Sequence, residues 1–166
     1  EPLLTISNLK ITYQGKPPVE AIGGVDLKVE RGQNIGLVGE SGCGKTTLAK
    51  TILGLLPKNG QITGGSIHWD GRDITHFSND DYSDIRWRDI AIIPQSAMNS
   101  LDPVYRLVDQ IIEPILTHEK VSRNEARKRA AELCKLVGIE PRRLQDYPHQ
   151  LSGGMKQRMI IAMALA

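Results

Sequence analysis

The sequence predicts an α/β fold, and three observations lead to this prediction. Residues 1–95 alternate short apolar runs with Gly, Pro and Asp turn signals, which is typical of β-strands. Within them a glycine-rich stretch at 39–50, GESGCGKTTLAK, joins a β-prone segment to a helix-prone one. Residues 96–166 then carry apolar positions at helical spacing. We therefore expect a core domain over 1–95 and a helical subdomain over 96–166.

The strands predicted near the N-terminus are short and alternate apolar with polar side chains. Residues 3–12 (LLTISNLKIT) and 25–29 (VDLKV) follow this pattern and are separated by the turn signal GKPP at 15–18. Residues 66–69 (SIHW) end a further stretch of β material, and Asp70-Gly71 is the next turn signal. The pattern predicts an antiparallel β-subdomain at this end of the chain.

Two other apolar runs are expected to be buried strands. Residues 33–38 (QNIGLV) come directly before the glycine-rich stretch, and residues 89–94 (DIAIIP) lie before the helical part. Both are short and nearly continuous in apolar character, as is typical of strands covered on both faces. The segment after the glycines, 46–56, suits a helix, so the glycines lie where a strand turns into a helix.

A helix is also predicted after residue 122. Ser122-Arg123-Asn124-Glu125 has the spacing of a capping box, and Gly138 suits the end of the helix. One apolar stripe is formed by Ala126, Ala130, Leu133 and Val137. The remaining faces are basic, and a solvated surface explains them better than a phosphate-binding patch: Lys120, Arg123, Arg127, Lys128, Arg129 and Lys135.

Composition excludes several classes of function. The 166 residues, 40% of them hydrophobic, suffice for about one domain. A net charge of +2 is too small to indicate binding to nucleic acid or to an anionic membrane. The two cysteines form no CxxC pair and the four histidines are scattered, so neither a disulfide framework nor a zinc site is indicated. With no signal peptide and no apolar run of membrane-spanning length, we expect a soluble, cytosolic chain.

The glycine-rich stretch predicts a phosphate site. Gly39, four residues, Gly44, Lys45 and Thr46 fit the phosphate-binding loop, in which backbone N–H groups and the helix N-terminus surround an anion. The Lys45 ammonium can reach the β- and γ-phosphates, and the Thr46 hydroxyl can bind Mg²⁺. A glycine-rich turn that merely joins strand to helix is the alternative. The loop does not distinguish ATP from GTP.

A second motif, LSGGMKQR at 151–158, predicts another anion site. Ser152 is placed to cap a helix, and Gly153 and Gly154 leave its first N–H groups uncovered. A capped helix with a flexible glycine start is the alternative interpretation. Two phosphate sites so far apart in sequence suggest a sandwich, with each nucleotide held between the loop of one copy and this helix of another.

With both motifs present, the chain resembles the ATP-binding cassette (ABC) ATPases. The segments 94–111 (PQSAMNSLDPVYRLVDQI) and 147–158 (YPHQLSGGMKQR) are most similar to the oligopeptide, dipeptide and nickel importer branch. The resemblance implies a P-loop NTPase core with an N-terminal antiparallel β-subdomain and a helical subdomain that carries the signature. It also implies ATP, rather than GTP, and Mg²⁺ as ligands.

The resemblance assigns roles to individual residues. Lys45 and Gln95 are the implied catalytic residues, and Thr46 and Gln95 the implied Mg²⁺ contacts. Tyr13 matches the aromatic residue that stacks on adenine, although packing on the core is a serious alternative for a strand residue. The implied nucleotide-binding set comprises Tyr13, Gly39, Ser41, Gly42, Cys43, Gly44, Lys45, Thr46 and Thr47, with Ser152, Gly153, Gly154 and Gln157 acting on the opposing subunit.

The chain departs from the family in two respects. Members continue into an apolar strand that ends in Asp-Glu, where the Asp orders Mg²⁺ and the Glu polarises the attacking water, but no such run occurs in this sequence. We therefore expect an incomplete ABC fold, an N-terminal fragment of an ATPase that binds ATP and hydrolyses it poorly or not at all. Cys43 stands where serine is common, which matters little because backbone groups bind there.

The resemblance implies partners and leaves alternatives. A second ATPase subunit, membrane-spanning permease subunits and, indirectly, a solute-binding protein are the implied partners, with the chain peripheral on the cytoplasmic face of the membrane and no nucleic acid involved. One alternative is a nucleotide-binding or dimerisation module without turnover. Another is a soluble ABC protein that acts on ribosomes or DNA. A GTPase or kinase is the weakest alternative, because neither needs the second motif.

Overall fold

The computed structural model describes residues 1–94 and 99–166. Contacts between residues divide the chain into two compact units, Glu1–Asp84 and Ile85–Ala166. The boundary expected from sequence, between 95 and 96, lies inside the second unit. It remains a prediction about where the nucleotide-binding core gives way to the signature subdomain.

The first unit contains a four-stranded antiparallel sheet in the order β2-β1-β3-β4. Its strands are β1 (Pro2–Tyr13), β2 (Val19–Glu30), β3 (Gly60–Trp69) and β4 (Arg72–Asp73). The turn signals of the sequence fall between these strands. The predicted antiparallel β-subdomain is thus confirmed, with strands longer than expected.

A bulge interrupts the alternation of β1. Ile6, Leu9 and Ile11 are all almost fully buried, although strict alternation cannot place residues 6, 9 and 11 on one face. The extra residue lies at Asn8, whose φ is +45°, and opposite it Gly65 has φ +79°. A Cβ at Gly65 would lie 2.3 Å from the carbonyl oxygen of Asn8, so only glycine allows the two strands to approach here.

The first unit also holds two helices, α1 (Lys45–Ile52) and α2 (Asn79–Ser83). The helix predicted over 46–56 ends earlier than expected, because Gly54 takes φ +63° shortly after α1. A Cβ at Gly54 would lie 2.3 Å from the Tyr82 ring, so the glycine admits that ring against the end of the helix. Long-range packing therefore sets this helix end.

The second unit is helical, as predicted. It contains α3 (Leu107–His118), α4 (Arg123–Leu136) and α5 (Gly153–Ala164), with 3₁₀ turns at Pro141–Gln145 and Pro148–Gln150. One apolar core joins them, and its fully buried members include Leu107, Ile111, Ala126, Ala130, Cys134, Met159 and Ala162.

The capping box predicted at the start of α4 is present. The Ser122 hydroxyl accepts from the Glu125 N–H at 3.3 Å, and a Glu125 carboxylate oxygen accepts from the Ser122 N–H at 2.8 Å. The Glu125 carboxylate also accepts from the Ser122 hydroxyl at 2.6 Å, and this hydrogen bond first and the one from the Ser122 N–H second lower the pKa of Glu125. The cap therefore stabilises the charged form of the carboxylate.

The apolar stripe of α4 differs slightly from the predicted one. Ala126, Ala130 and Cys134 are fully buried, whereas Leu133 and Val137 are only half-buried. Cysteine was not included in the predicted stripe, although a thiol packs as a small apolar group. The small residues at this spacing let the neighbouring helices approach α4 closely.

The two predicted buried strands, 33–38 and 89–94, are not formed as strands. Most of their apolar side chains are exposed, with Val38 94% accessible and Ile93 46%, and Ile90 is half-buried in an isolated β-bridge to Arg86. Sheet structure needs a partner that satisfies the backbone N–H and C=O groups. In the described part of the chain the named strands pair only among β1 to β4, and none of them lies beside either segment. The prediction of strands at 33–38 and 89–94 is therefore wrong for the structure, because an apolar pattern does not supply the strand partner that a sheet needs.

Over residues 1–94 and 99–166, no helix combines the length and the hydropathy that crossing a bilayer requires.

Candidate phosphate-binding site

The glycine-rich stretch forms a tight loop that leads into α1. Gly42 and Gly44 have φ of +84° and +96°, a region that L side chains rarely adopt. Gly44 is the N-cap of α1, and its carbonyl accepts the first helical hydrogen bond, from Leu48 N–H, at 2.8 Å. A Cβ at Gly42 would meet nothing within 4 Å, so this side of the loop is open to a ligand.

Gly44 also fastens the loop to the sheet. A Cβ there would lie 2.8 Å from the carbonyl oxygen of Ala21 and 3.3 Å from a side-chain carbon of Ile22, both on β2. At the other end of the loop, a Cβ at Gly39 would lie 2.6 Å from the sulfur of Cys43. The backbone of the loop is therefore in close contact with Cys43 at Gly39 and with β2 at Gly44.

The side chain of Lys45 folds back across the loop. Its ammonium donates to the carbonyl oxygens of Gly39 and Glu40, each at 2.7 Å, and lies 3.4 Å from the sulfur of Cys43. Among the described ion pairs, none involves Lys45. Its partners are neutral, so a phosphate would be a stronger acceptor than either carbonyl.

Tyr13 lies beside the start of α1. It is the last residue of β1, and its hydroxyl is 3.1 Å from the Thr47 hydroxyl, where either atom can donate. Its ring packs over Gly60, since a Cβ there would lie 3.0 Å from the ring. The neighbouring Thr46 hydroxyl is on an exposed residue of the first helical turn. Tyr13 thus lies beside the first turn of α1, which carries Thr46 and Thr47 and directly follows the loop.

The second motif forms the exposed start of α5. Ser152 is the N-cap, and its hydroxyl accepts from the Met155 N–H at 3.4 Å, as predicted. Leu151, just before it, is buried and anchors the segment. Gly153 and Gly154 are exposed, and a Cβ at Gly154 would meet nothing within 4 Å. Since Gly153 and Gly154 have no side chains, none of their own atoms covers the first N–H groups of α5, which is the arrangement that anion binding at a helix N-terminus requires.

Arg158, one turn further along α5, fixes the helix to the end of α4. Its guanidinium donates to the carbonyl oxygen of Gly138 at 3.0 Å. Gly138 has φ +70°, as expected of the glycine that ends a helix. A cation at the C-terminus of α4 also interacts favourably with the helix dipole. Arg158 is therefore a structural residue.

The structure groups the predicted site residues into two sets. The first unit holds Tyr13, Gly39, Ser41, Gly42, Cys43, Gly44, Lys45, Thr46 and Thr47. The second unit holds Ser152, Gly153, Gly154 and Gln157, of which Gln157 is exposed on α5. Gln95, the residue predicted to have both a catalytic and a metal role, lies outside the described residues.

The donors of the first set fit a nucleotide triphosphate better than a metal alone. Over residues 1–94 and 99–166 no three His, Cys, Asp or Glu side chains converge as a metal site would require. The set instead offers backbone N–H groups, the Lys45 ammonium and side-chain hydroxyls, among them that of Thr46. Mg²⁺ commonly binds in this way, through one or two protein oxygens together with substrate phosphates.

Sequence reasoning missed a contact beside the second motif. The Arg106 guanidinium carbon lies 5.3 Å from the centre of the Tyr147 ring. The Tyr147 ring in turn stacks on the His149 ring, with 5.8 Å between the ring centres. Arg106 and Tyr147 are far apart in the sequence, so no local pattern connects them.

Sequence comparisons identify the family of the chain. The profile of the ABC transporter family matches residues 22–166. The chain is 41% identical over 168 residues to the oligopeptide transport ATP-binding protein AppD of Bacillus subtilis (strain 168), covering 99% of this chain and 51% of AppD. It is 44% identical over 172 residues to the dipeptide transport ATP-binding protein DppD of Lactococcus lactis subsp. cremoris (strain MG1363), covering 100% of this chain and 49% of DppD. The chain thus spans about half the length of these relatives.

Solved structures share the fold. The dimeric structure of MJ0796, a bacterial ABC transporter cassette, superposes with a TM-score of 0.87 at 31% sequence identity, covering 98% of this chain and 69% of that one. The same cassette in a post-hydrolysis state bound to ADP and Pi matches equally well, with a TM-score of 0.87. The match to the family profile over most of the chain, together with the loop and the second motif, shows that the chain belongs to the ABC transporter family and carries part of its ATP-binding cassette.

Proposed function

We propose that the chain is the ATP-binding part of an ATPase subunit that drives the import of peptides or related small solutes. The observation that carries this proposal is a phosphate-binding loop and an LSGG signature in one chain with 41% identity to an oligopeptide transport ATP-binding protein. An ABC cassette bound to ADP and Pi has the same fold, which supports a nucleotide ligand.

In this proposal the loop binds the phosphates of ATP. Lys45 exchanges its two carbonyl acceptors for β- and γ-phosphate oxygens, which are more negative, and the N–H groups of residues 39–47 donate to the remaining oxygens. Thr46 and Gln95 serve Mg²⁺, which neutralises phosphate charge. Tyr13 stacks on the adenine ring, and its hydroxyl contact to Thr47 keeps the ring beside the first turn of α1.

The signature completes a site on an opposing subunit. The helix start that would meet this nucleotide comprises Ser152, Gly153, Gly154 and Gln157. A Cβ built on Gly154 would have nothing within 4 Å, which supports the approach of the opposing subunit's nucleotide here. The fold neighbour MJ0796 is described as dimeric, which supports the same arrangement for this chain. ATP is then held between the loop of one cassette and the signature of the other.

The partners follow from the importer assignment. We expect a second ABC ATPase subunit, membrane-spanning permease subunits contacted through the region around Gln95 and the helices after it, and an indirect link to a solute-binding protein. The protein is then peripheral on the cytoplasmic face of the membrane. No nucleic acid partner is expected, because the net charge is only +2.

Hydrolysis by these 166 residues alone is expected to be poor. Phosphoryl transfer depends on positioned groups, and the sequence contains no apolar run ending in Asp-Glu to order the metal and the water. A nucleotide-binding or dimerisation module without turnover is therefore the second candidate. A soluble non-transport ABC protein is the third.

The first test is ATP binding and single-turnover hydrolysis by the chain with Mg²⁺. Lys45→Ala removes the ammonium and should weaken binding about 10- to 100-fold, the loss typical of a hydrogen bond to a charged group. Lys50→Ala, an exposed lysine on the same helix, is the matched control and should leave binding unchanged. Equal binding in the wild type and in Lys45→Ala would contradict a role for the loop. Robust hydrolysis would contradict the expected lack of turnover.

The importer assignment needs a second test. The full-length protein, reconstituted with permease subunits and a solute-binding protein, should take up labelled oligopeptides only when ATP is present, and Lys45→Ala should abolish uptake. ATP binding without stable association with any permease would favour the module without turnover or the soluble protein.

A further inference from the structure

The segment before the signature, residues 145–150, is attached to the N-terminus of α3. The Arg106 guanidinium donates to the carbonyl oxygen of Gln145 at 2.9 Å, and the Leu107 N–H donates to the carbonyl oxygen of Asp146 at 3.0 Å. The same guanidinium lies over the Tyr147 ring. Arg106 and Leu107, at the start of α3, thus hold residues 145–147.

The chain from Tyr147 to Ser152 has little freedom to move independently. The Tyr147 N–H donates to the Gln150 side chain at 2.7 Å, and the Gln150 N–H donates back to the Tyr147 carbonyl at 2.9 Å. The Leu151 N–H donates to the Pro148 carbonyl at 3.2 Å, and both side chains are buried. A displacement of Tyr147 is therefore carried to the capping residue of the signature helix.

The start of α3 is itself firmly held. Leu107 and Ile111 are fully buried in the core of the second unit, and α3 packs on both α4 and α5. Arg106 is the N-cap residue of α3, but its side chain does not cap the helix. Among residues 1–94 and 99–166, the contacts recorded for the guanidinium are to Gln145 and Tyr147, and Arg106 is exposed, so burial in the core does not explain its position.

We propose that Arg106 is a positioning residue for the signature. It touches neither nucleotide nor metal; it fixes residues 145–150 on α3 and so sets where Ser152, Gly153 and Gly154 meet the nucleotide of the opposing cassette. This inference rests on the proposed function. Since the signature acts on the other subunit's nucleotide, loss of Arg106 impairs the closed, hydrolysing dimer and leaves nucleotide binding by the chain's own loop intact.

The test uses the full-length subunit with its cassette partner. Arg106→Met keeps an unbranched side chain close to the aliphatic stem of arginine in length and removes the guanidinium. The matched control is Arg142→Met, an exposed arginine in the neighbouring 3₁₀ turn that pairs with Glu140 of its own segment. Three quantities are measured for each: kcat for ATP hydrolysis, the Kd of a fluorescent ATP analogue for the separate subunit, and amide hydrogen exchange over 145–152.

For Arg106→Met we expect kcat to fall about tenfold, equivalent to about 1.4 kcal/mol, with the Kd within twofold of wild type and faster exchange confined to 145–152. Arg142→Met should match the wild type in all three. Unchanged kcat in Arg106→Met, or a Kd that rises as much as kcat falls, would overturn the inference. So would exchange that rises throughout the second unit, which would indicate a merely structural role. A wild type that neither binds nor hydrolyses ATP would instead overturn the proposed function.

Discussion

Replacing Gly44 with alanine tests how the phosphate loop is held on the sheet. Two costs add at this position. At φ +96° an L side chain is strained, by roughly 1–2 kcal/mol. The new Cβ would also lie 2.8 Å from the Ala21 carbonyl oxygen, and forcing a methyl group into such a contact costs about 1–3 kcal/mol. We expect the free energy of unfolding to fall by about 2–5 kcal/mol in total.

Gly42→Ala is the matched control. It has a similar φ of +84° but open space around the added Cβ, so only the backbone cost applies, about 1–2 kcal/mol. Alanine also restricts the unfolded chain, an opposing effect of about 0.4–1 kcal/mol that is the same for both variants and cancels in their difference. Gly44→Ala should therefore be less stable than Gly42→Ala by about 1–3 kcal/mol.

Urea unfolding without nucleotide measures this difference. Trp69, in the same unit, reports the transition by fluorescence when Trp87 of the other unit is replaced by phenylalanine. Equal stability of the two alanine variants would refute the close approach of Gly44 to β2. A larger loss for Gly42→Ala would refute the open side of the loop as well.

Three further predictions concern the second unit and the two thiols. Arg158→Met removes the hydrogen bond to the end of α4 and should lower the free energy of unfolding by about 1 kcal/mol in thermal or urea unfolding. Ser122→Ala removes the N-cap and should lower the free energy of unfolding by about 1 kcal/mol. Because the Ser122 hydroxyl lowers the pKa of Glu125, the part of this stability that depends on the carboxylate is present above the unfolded-state pKa and is lost as the pH falls through the folded-state pKa, so the gap between variant and wild type should narrow in acid. Burial raises the pKa of Cys134 to about 11, so in a thiol-labelling assay near pH 8 the exposed Cys43 should react and Cys134 should not until the protein unfolds.

Each of these has a clear contrary result. Arg158→Met at wild-type stability would mean that its contact to Gly138 contributes nothing in solution. A constant stability gap between Ser122→Ala and wild type at all pH values would contradict the link to Glu125. Rapid labelling of Cys134 in the folded protein would contradict its burial against the helices of the second unit.

The elements that were predicted well depend on contacts close in sequence. The capping box of α4 and the Ser152 cap of α5 each join residues three apart, and a turn signal such as Asp70-Gly71 needs only its own backbone preference. The segments 33–38 and 89–94 failed as strands for the opposite reason: a strand depends on partners elsewhere in the chain, which apolar pattern does not specify.

The sequence by itself determined the phosphate loop, the signature helix and its cap, and through them the family, because each is a short motif whose chemistry is local. Only the tertiary structure decided that Gly44 rests on β2, that Cys134 belongs to the core, and that Arg106 holds the segment before the signature. Those contacts join residues far apart along the chain, and they exist only once packing has brought separate elements together.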